Sequence, residues 1–263
     1  MSEQRVAIVT GAAGGIGEAT VGELTRRGYR VSAWDISQSG LARLPEQVDR
    51  RCIDLGDFSS LEPAAQQVVQ RFGRIDLLVN NAIFRDLVPM TRISRQSWEK
   101  TLSIGLTAPA FLSRFVAEAM KSTGGVIVNI SSIMSGRAGG ISPAYVAAKG
   151  GLDALTYELA ATYASWNIRV VGIRPGAIDT ALSRDYDPAG QPREDESANE
   201  LLRRWSQDHI PLGKWGRPEE VARAIAWVAS DEASYLTGTL LDVDGGWSHA
   251  HFPASLRRGV LGE

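Results

Sequence analysis

Seven short runs rich in β-branched residues recur along this chain of 263 residues, each parted from the next by a longer stretch of helical character. Strands that return at this rhythm pair in parallel, because the helix between two of them carries the chain back to the edge where the first began. The runs fall at residues 5–11, 30–35, 50–55, 76–82, 125–132, 168–176 and 239–246, with 50–55 the weakest. Gly, Pro, Asp or Asn bounds each of them, the residues that turn a chain. The clearest helix is 217–230, with Pro218 and two glutamates in its first turn and Val221, Ile225 and Val228 along one face. A chain of this length buries one large core and is too short for two substantial domains, so a single α/β domain over residues 1–263 is expected.

Charge and cysteine content exclude several roles. The formal net charge is -2 and no Lys/Arg block exceeds two residues, which leaves no field for a polyanion such as nucleic acid. Cys52 is the only cysteine, so no intrachain disulfide can form and a reducing compartment is expected. The N-terminus passes directly into an apolar β-type run, unlike a signal peptide. Nowhere does an uncharged apolar stretch approach the roughly 20 residues of a membrane span, so the expected location is the cytosol. His249 and His251, at i and i+2, fall short of a metal coordination set, and no metal is expected.

The stretch TGAAGGIG, Thr10 to Gly17, follows the first strand and opens a helix. Glycines let the backbone turn sharply and approach a pyrophosphate, while the helix N-terminus offers N–H groups and partial positive charge. Gly11, Gly15, Ile16 and Gly17 are the expected nucleotide contacts. Asp35 ends the second strand eighteen residues after Gly17, near the spacing at which a carboxylate accepts hydrogen bonds from an adenosine ribose. Its charge repels a 2′-phosphate, and residues 36–39 carry no Lys or Arg to receive one, so NAD is favoured over NADP. The competing reading makes Asp35 a turn aspartate before Ser37.

In YVAAK, residues 145–149, a tyrosine and a lysine stand four apart, neighbours on one helical face. A fixed ammonium favours the phenolate, and a phenol ionising near the working pH is a general base toward an alcohol or a general acid toward a ketone.

In order and spacing, TGAAGGIG at 10, NNA at 80, NISS at 129, YVAAK at 145, RPGAIDT at 174 and VDGG at 243 resemble the short-chain dehydrogenase/reductases, from Val6 to about Trp247. The resemblance implies a Rossmann-like, doubly wound, seven-stranded parallel sheet, hydride exchange with a nicotinamide, and a dimer or tetramer. It further implies Tyr145 as acid/base, Lys149 as its tuning partner and nicotinamide-ribose ligand, and Ser132 as the residue that orients the reacting oxygen. Asp54 and Leu55 match the pair beside the adenine, Asn80 the residue at the cofactor's edge, and Ile178 and Thr180 the carboxamide contacts. Ser131 competes with Ser132, since adjacent strand residues face opposite ways. Thr180 also reads as a helix cap, and Asp54 as a strand end.

Two positions depart from the family pattern. Gly105 stands where an asparagine is usual, which keeps a carbonyl but loses the side chain, and Ile83 replaces the glycine of NNAG. Residues 181–213 break the βα rhythm, with an apolar cluster at Leu201, Leu202 and Trp205 that reads either as a lid over substrate or as a surface helix. The charges around it, Arg184, Arg193, Arg203 and Arg204 against Asp185, Asp187, Glu194, Asp195 and Glu196, nearly balance. The reading as a whole is an NAD-dependent dehydrogenase of a secondary alcohol in a sugar, polyol, cyclic diol or hydroxy acid. Its rivals are a 3-oxoacyl thioester reductase, and a nucleotide-binding regulator that lost turnover. The tail from 247 to 263 runs past the family's usual end and is expected to reach a neighbouring subunit.

Overall fold

The computed structural model describes residues 4–184 and 198–262. Seven strands form one sheet: β1 Val6–Thr10, β2 Arg30–Asp35, β3 Asp49–Cys52, β4 Leu77–Asn80, β5 Gly125–Ile130, β6 Ile168–Pro175 and β7 Thr239–Val243. All neighbours are parallel, in the order β3-β2-β1-β4-β5-β6-β7. The helices are α1 Gly15–Arg26, α2 Gln38–Leu41, α3 Phe58–Phe72, α4 Arg95–Leu102, α5 Ala108–Met120, α6 Pro143–Tyr163, α7 Ala181–Arg184, α8 Ala198–His209, α9 Pro218–Val228 and α10 Ala254–Leu261.

Strand alternation sorts the core into two layers. Ala7, Val9, Leu77, Val79, Val128, Val171 and Ile173 point toward α1 and α9, where Val21, Leu24, Val221 and Ile225 complete one cluster. Val6, Ile8, Leu78, Ile127, Ile168 and Val170 point the other way, onto Leu61, Val68, Leu112, Val116 and Leu159 of α3, α5 and α6. Both faces being covered explains why the strands read as continuous apolar runs. The sheet is thus doubly wound, and its strand order reverses between β1 and β4, which opens a crevice at the carboxyl ends of the strands.

Every run named from the sequence is a strand, but most stop short of the expected C-terminal end. β4 leaves the ladder after Asn80 rather than 82, β5 after Ile130 rather than 132, and β7 after Val243 rather than 246. Of the overrun residues, Gly11, Asn81, Ala82, Ser131, Ser132 and Gly176 line the crevice. The helix expected at 217–230 is α9, with Arg217 as its N-cap and the Glu220 carboxylate accepting from the Arg217 backbone N–H at 2.7 Å. Among the described residues no helix is long and apolar enough to cross a membrane.

Candidate active site

A cavity of about 670 Å³ lies along the crevice, walled by residues that follow β1, β2, β4, β5 and β6. At one end is the glycine turn. Gly11 and Gly15 take φ values of 62° and 54°, open to glycine at no steric cost. A Cβ on Gly17 would stand 2.0 Å from the Gly11 carbonyl oxygen, so α1 packs on the turn only with glycine there. Gly17 therefore acts through packing and lies outside the cavity wall, whereas Gly11, Gly14, Gly15 and Ile16 are part of it. Gly14 caps α1 with no side-chain acceptor and open space where a Cβ would be, which leaves first-turn N–H groups for an anion. This cradle fits a pyrophosphate.

Asp35 makes the contacts of a turn aspartate and also stands on the cavity wall. Its carboxylate accepts from the Ala13 N–H at 2.9 Å and the Ser37 N–H at 2.8 Å, tying the glycine turn to the end of β2, and it also forms part of the cavity wall. A cation that sequence reasoning missed lies close by: Arg43 donates to the Ala13 carbonyl at 2.9 Å. Asp54, exposed beyond the end of β3, accepts from the Gly56 N–H at 2.8 Å, and neither it nor the buried Leu55 joins the wall.

Asn80 is a correction. Its amide is buried with Leu78's parity, toward α5, and donates to Ser113 Oγ at 3.1 Å and Asn129 Oδ1 at 2.9 Å. Asn81 is the asparagine at the cavity, donating to the Thr10 and Gly11 carbonyls at 3.0 Å each.

Tyr145 and Lys149 sit on the first two turns of α6, which begins at Pro143, and both line the cavity beyond the glycine turn. The Lys149 ammonium is 5.8 Å from the Tyr145 ring centroid and donates to the Ile130 carbonyl at 2.6 Å. The residue is 2% exposed, and burial pushes its pKa down to about 8 against the opposing pull of Asp153 one turn on. The ammonium is thus present at neutral pH and lost above about 8.

Of the two serines, Ser131 donates to the Lys149 carbonyl at 3.2 Å and so helps fix α6. Ser132 Oγ accepts from the Met134 N–H at 3.1 Å, and both side chains reach the cavity. Ile178 is buried in the wall, and its neighbour Asp179 pairs with Gly216 at 2.9 Å. Thr180 is the expected cap, accepting at 3.3 Å from the Ser183 N–H of α7, and its methyl lies 3.1 Å from where Gly15 would carry a Cβ. It therefore closes over the glycine turn as well.

Gly105 lies in a π-helical turn, Ser103–Thr107, between α4 and α5. A Cβ there would meet Ile83 Cδ1 at 2.3 Å and Ala148 Cβ at 3.2 Å. The two departures from the family pattern are one feature: Ile83, on the cavity wall, fills the space that a larger residue at 105 would need.

At the other end of the cavity α8 turns Leu202, Trp205 and Ser206 inward, while Leu201 faces solvent, so the expected apolar cluster splits. Trp205 meets the Trp247 ring edge-on at 5.9 Å. Residues 185–197 of the expected lid lie outside the described residues. The tail returns to its own chain: Asp208 of α8 accepts from the Ser255 N–H at 2.8 Å and the Ser255 hydroxyl at 2.5 Å. His249 and His251 part company, the first 3.3 Å from Asp242 and the second against Phe252.

A family model described as enoyl-(acyl carrier protein) reductase matches residues 11–248. The 3-oxoacyl-[acyl-carrier-protein] reductase FabG of Thermotoga maritima is 36% identical, covering 93% of this chain and 98% of that protein. A cis-4-hydroxycyclohexanecarboxylate dehydrogenase of Sinomonas cyclohexanicum is 38% identical over 93% of this chain and 97% of its own. Among solved structures, a 4-hydroxyisoleucine dehydrogenase complexed with NADH superposes with a TM-score of 0.83 at 30% identity, covering 93% of this chain and 98% of that one. With the fold, the glycine cradle and the full-length matches in agreement, the chain belongs to the short-chain dehydrogenase/reductase family of oxidoreductases, which work with a nicotinamide cofactor.

Proposed function

We propose that the protein is an NAD-dependent dehydrogenase that oxidises a secondary alcohol to a ketone, with Tyr145 as the acid/base. The observation that carries this reading is that Tyr145, Ser132 and Lys149 share one cavity with the glycine cradle and Asp35. A bound nicotinamide would supply the acceptor for the carbinol hydrogen as hydride. The Tyr145 phenolate accepts the hydroxyl proton, and Ser132 orients the same oxygen by a hydrogen bond. Lys149 supplies the positive charge that favours the phenolate, and its ammonium is within reach of a ribose. Gly11, Gly14, Gly15 and Ile16 hold the pyrophosphate, Asp35 the adenosine ribose, and Ile178 and Thr180 the carboxamide. Asp54 and Leu55 border the adenine through the chain beyond β3, and Asn80 serves by fixing β4 against β5 rather than by contact. In this reading α8 is the lid, the enzyme is cytosolic, and it assembles as a dimer or tetramer, which a mass measurement in solution checks.

The second reading, a 3-oxoacyl thioester reductase, is favoured by the Thermotoga maritima relative, and the two differ in cofactor. Asp35, through its charge, supports the first. NADH is expected to bind at least tenfold tighter than NADPH, and Asp35→Ser to narrow that gap by removing the repulsion toward a 2′-phosphate. Tight NADPH and weak NADH binding in a fluorescence titration would reject the preference. Turnover itself is tested by nicotinamide absorbance with NAD across sugars, polyols, hydroxy acids and cyclic diols. NADH binding without any turnover would favour a regulator.

Lys149→Met is expected to move the ascending limb of the kcat/KM profile for oxidation to higher pH. Oxidation needs the phenolate, and removing the adjacent cation raises the pH at which the phenol ionises. A limb that stays in place would show that Lys149 does not tune Tyr145.

A further inference from the structure

Proton and hydride transfer leave one charge in the substrate half of the cavity unused. Arg137 follows the short turn Ile133–Ser135, five residues after Ser132, and lines the same cavity. Its Nη1 donates to the Trp247 carbonyl at 2.7 Å, and its guanidinium carbon is 6.0 Å from the Trp247 ring centroid. These contacts hold the head group against the wall and occupy one of its five N–H donors. The walls around it are apolar, from Met134, Ile141, Leu202, Trp205 and Trp247. Arg85, which reaches the Leu182 carbonyl, adds a second cation to this half. Among the described residues that line the cavity, the one carboxylate is Asp35, at the opposite end beside the glycine turn. Among the described residues the wall is therefore polarised, with Asp35 where an adenosine ribose would lie and Arg137 and Arg85 where substrate would lie.

A planar guanidinium presents paired N–H donors that match the two oxygens of a carboxylate, and Arg137 is an exposed residue of the cavity wall. The carbinol has to sit at Tyr145 and Ser132, and Arg137 lines the same cavity. We infer that Arg137 anchors a substrate carboxylate, so that the substrate is a hydroxy acid whose carbinol and carboxylate are joined by a compact apolar body. A sugar or polyol would leave the tryptophan and methionine walls facing hydroxyl groups. This inference rests on the dehydrogenase reading given above and narrows it.

The test compares cis-4-hydroxycyclohexanecarboxylate with its methyl ester, which keeps the ring and the carbinol and removes the charge. With NAD, the wild-type enzyme is expected to show kcat/KM at least tenfold higher for the acid. Arg137→Gln should lower the acid-to-ester ratio at least tenfold, chiefly through KM, and Arg137→Lys should restore part of it. Equal use of acid and ester by the wild type, or an equal loss on both in Arg137→Gln, would overturn the assignment. A binding arm needs no turnover: cyclohexanecarboxylate titrated into the NADH-bound protein is expected to bind at least tenfold more weakly in Arg137→Gln. NADH titration of each variant reports whether the fold survives. Failure of the dehydrogenase reading looks different, since acid, ester and the rest of the alcohol panel would then all yield no NADH. In that case an unchanged cyclohexanecarboxylate affinity in Arg137→Gln would sink the carboxylate site as well.

Discussion

Tyr145→Phe lowers the rate of NAD reduction by roughly 10²- to 10⁴-fold, the range that a positioned general acid/base contributes. The change removes one oxygen and keeps the ring, so the packing of α6 is retained and a matching thermal unfolding curve shows that the loss is chemical. Nothing else in the described cavity takes over easily. Ser132 has too high an intrinsic pKa, Asp35 stands at the opposite end, and the Lys149 ammonium is tied to the Ile130 carbonyl. A rate within a few-fold of wild type would remove Tyr145 from the acid/base role.

Gly105→Asn destabilises the protein by about 1–3 kcal/mol, the usual cost of overpacking a tight interior. The new Cβ arrives 2.3 Å from Ile83 Cδ1 and 3.2 Å from Ala148 Cβ. The Ile83 methyl, on the cavity wall, has to move, and Ala148 is fixed to α6 one residue before Lys149. Combining Gly105→Asn with Ile83→Gly should recover stability, so that the pair is non-additive by about 0.5–3 kcal/mol in denaturant unfolding. Additive effects would mean that the two positions do not share one space. The double variant also asks whether an asparagine side chain at this π-turn adds anything to the proton path that the glycine lacks.

What could be read from the chain alone is what neighbouring residues determine. The strand–glycine–helix opening, the i,i+4 spacing of Tyr145 and Lys149, and the capped start of α9 depend on a few adjacent positions each. Errors arose where the answer lies across the fold. Asn80 and Asn81 are adjacent in a motif, and only the packing of β4 on α5 decides which one meets the cavity. Gly105 and Ile83 looked like separate departures because the contact joining them spans 22 residues of sequence. Arg43 was missed because it reaches the glycine turn from 30 residues away. Within α8, Leu201 and Leu202 are equally apolar, and their opposite orientations follow from where the helix rests on the cavity.

The return of the tail onto α8 carries a consequence for access. Ser255 grips Asp208 through both its amide and its hydroxyl, while Trp247 braces Trp205 from the same side. The helix proposed as the lid, α8, is thus tied to Trp247 and to Ser255 of the tail. Loosening that latch would change how quickly reactant enters and product departs, and would leave the proton chemistry on α6 untouched.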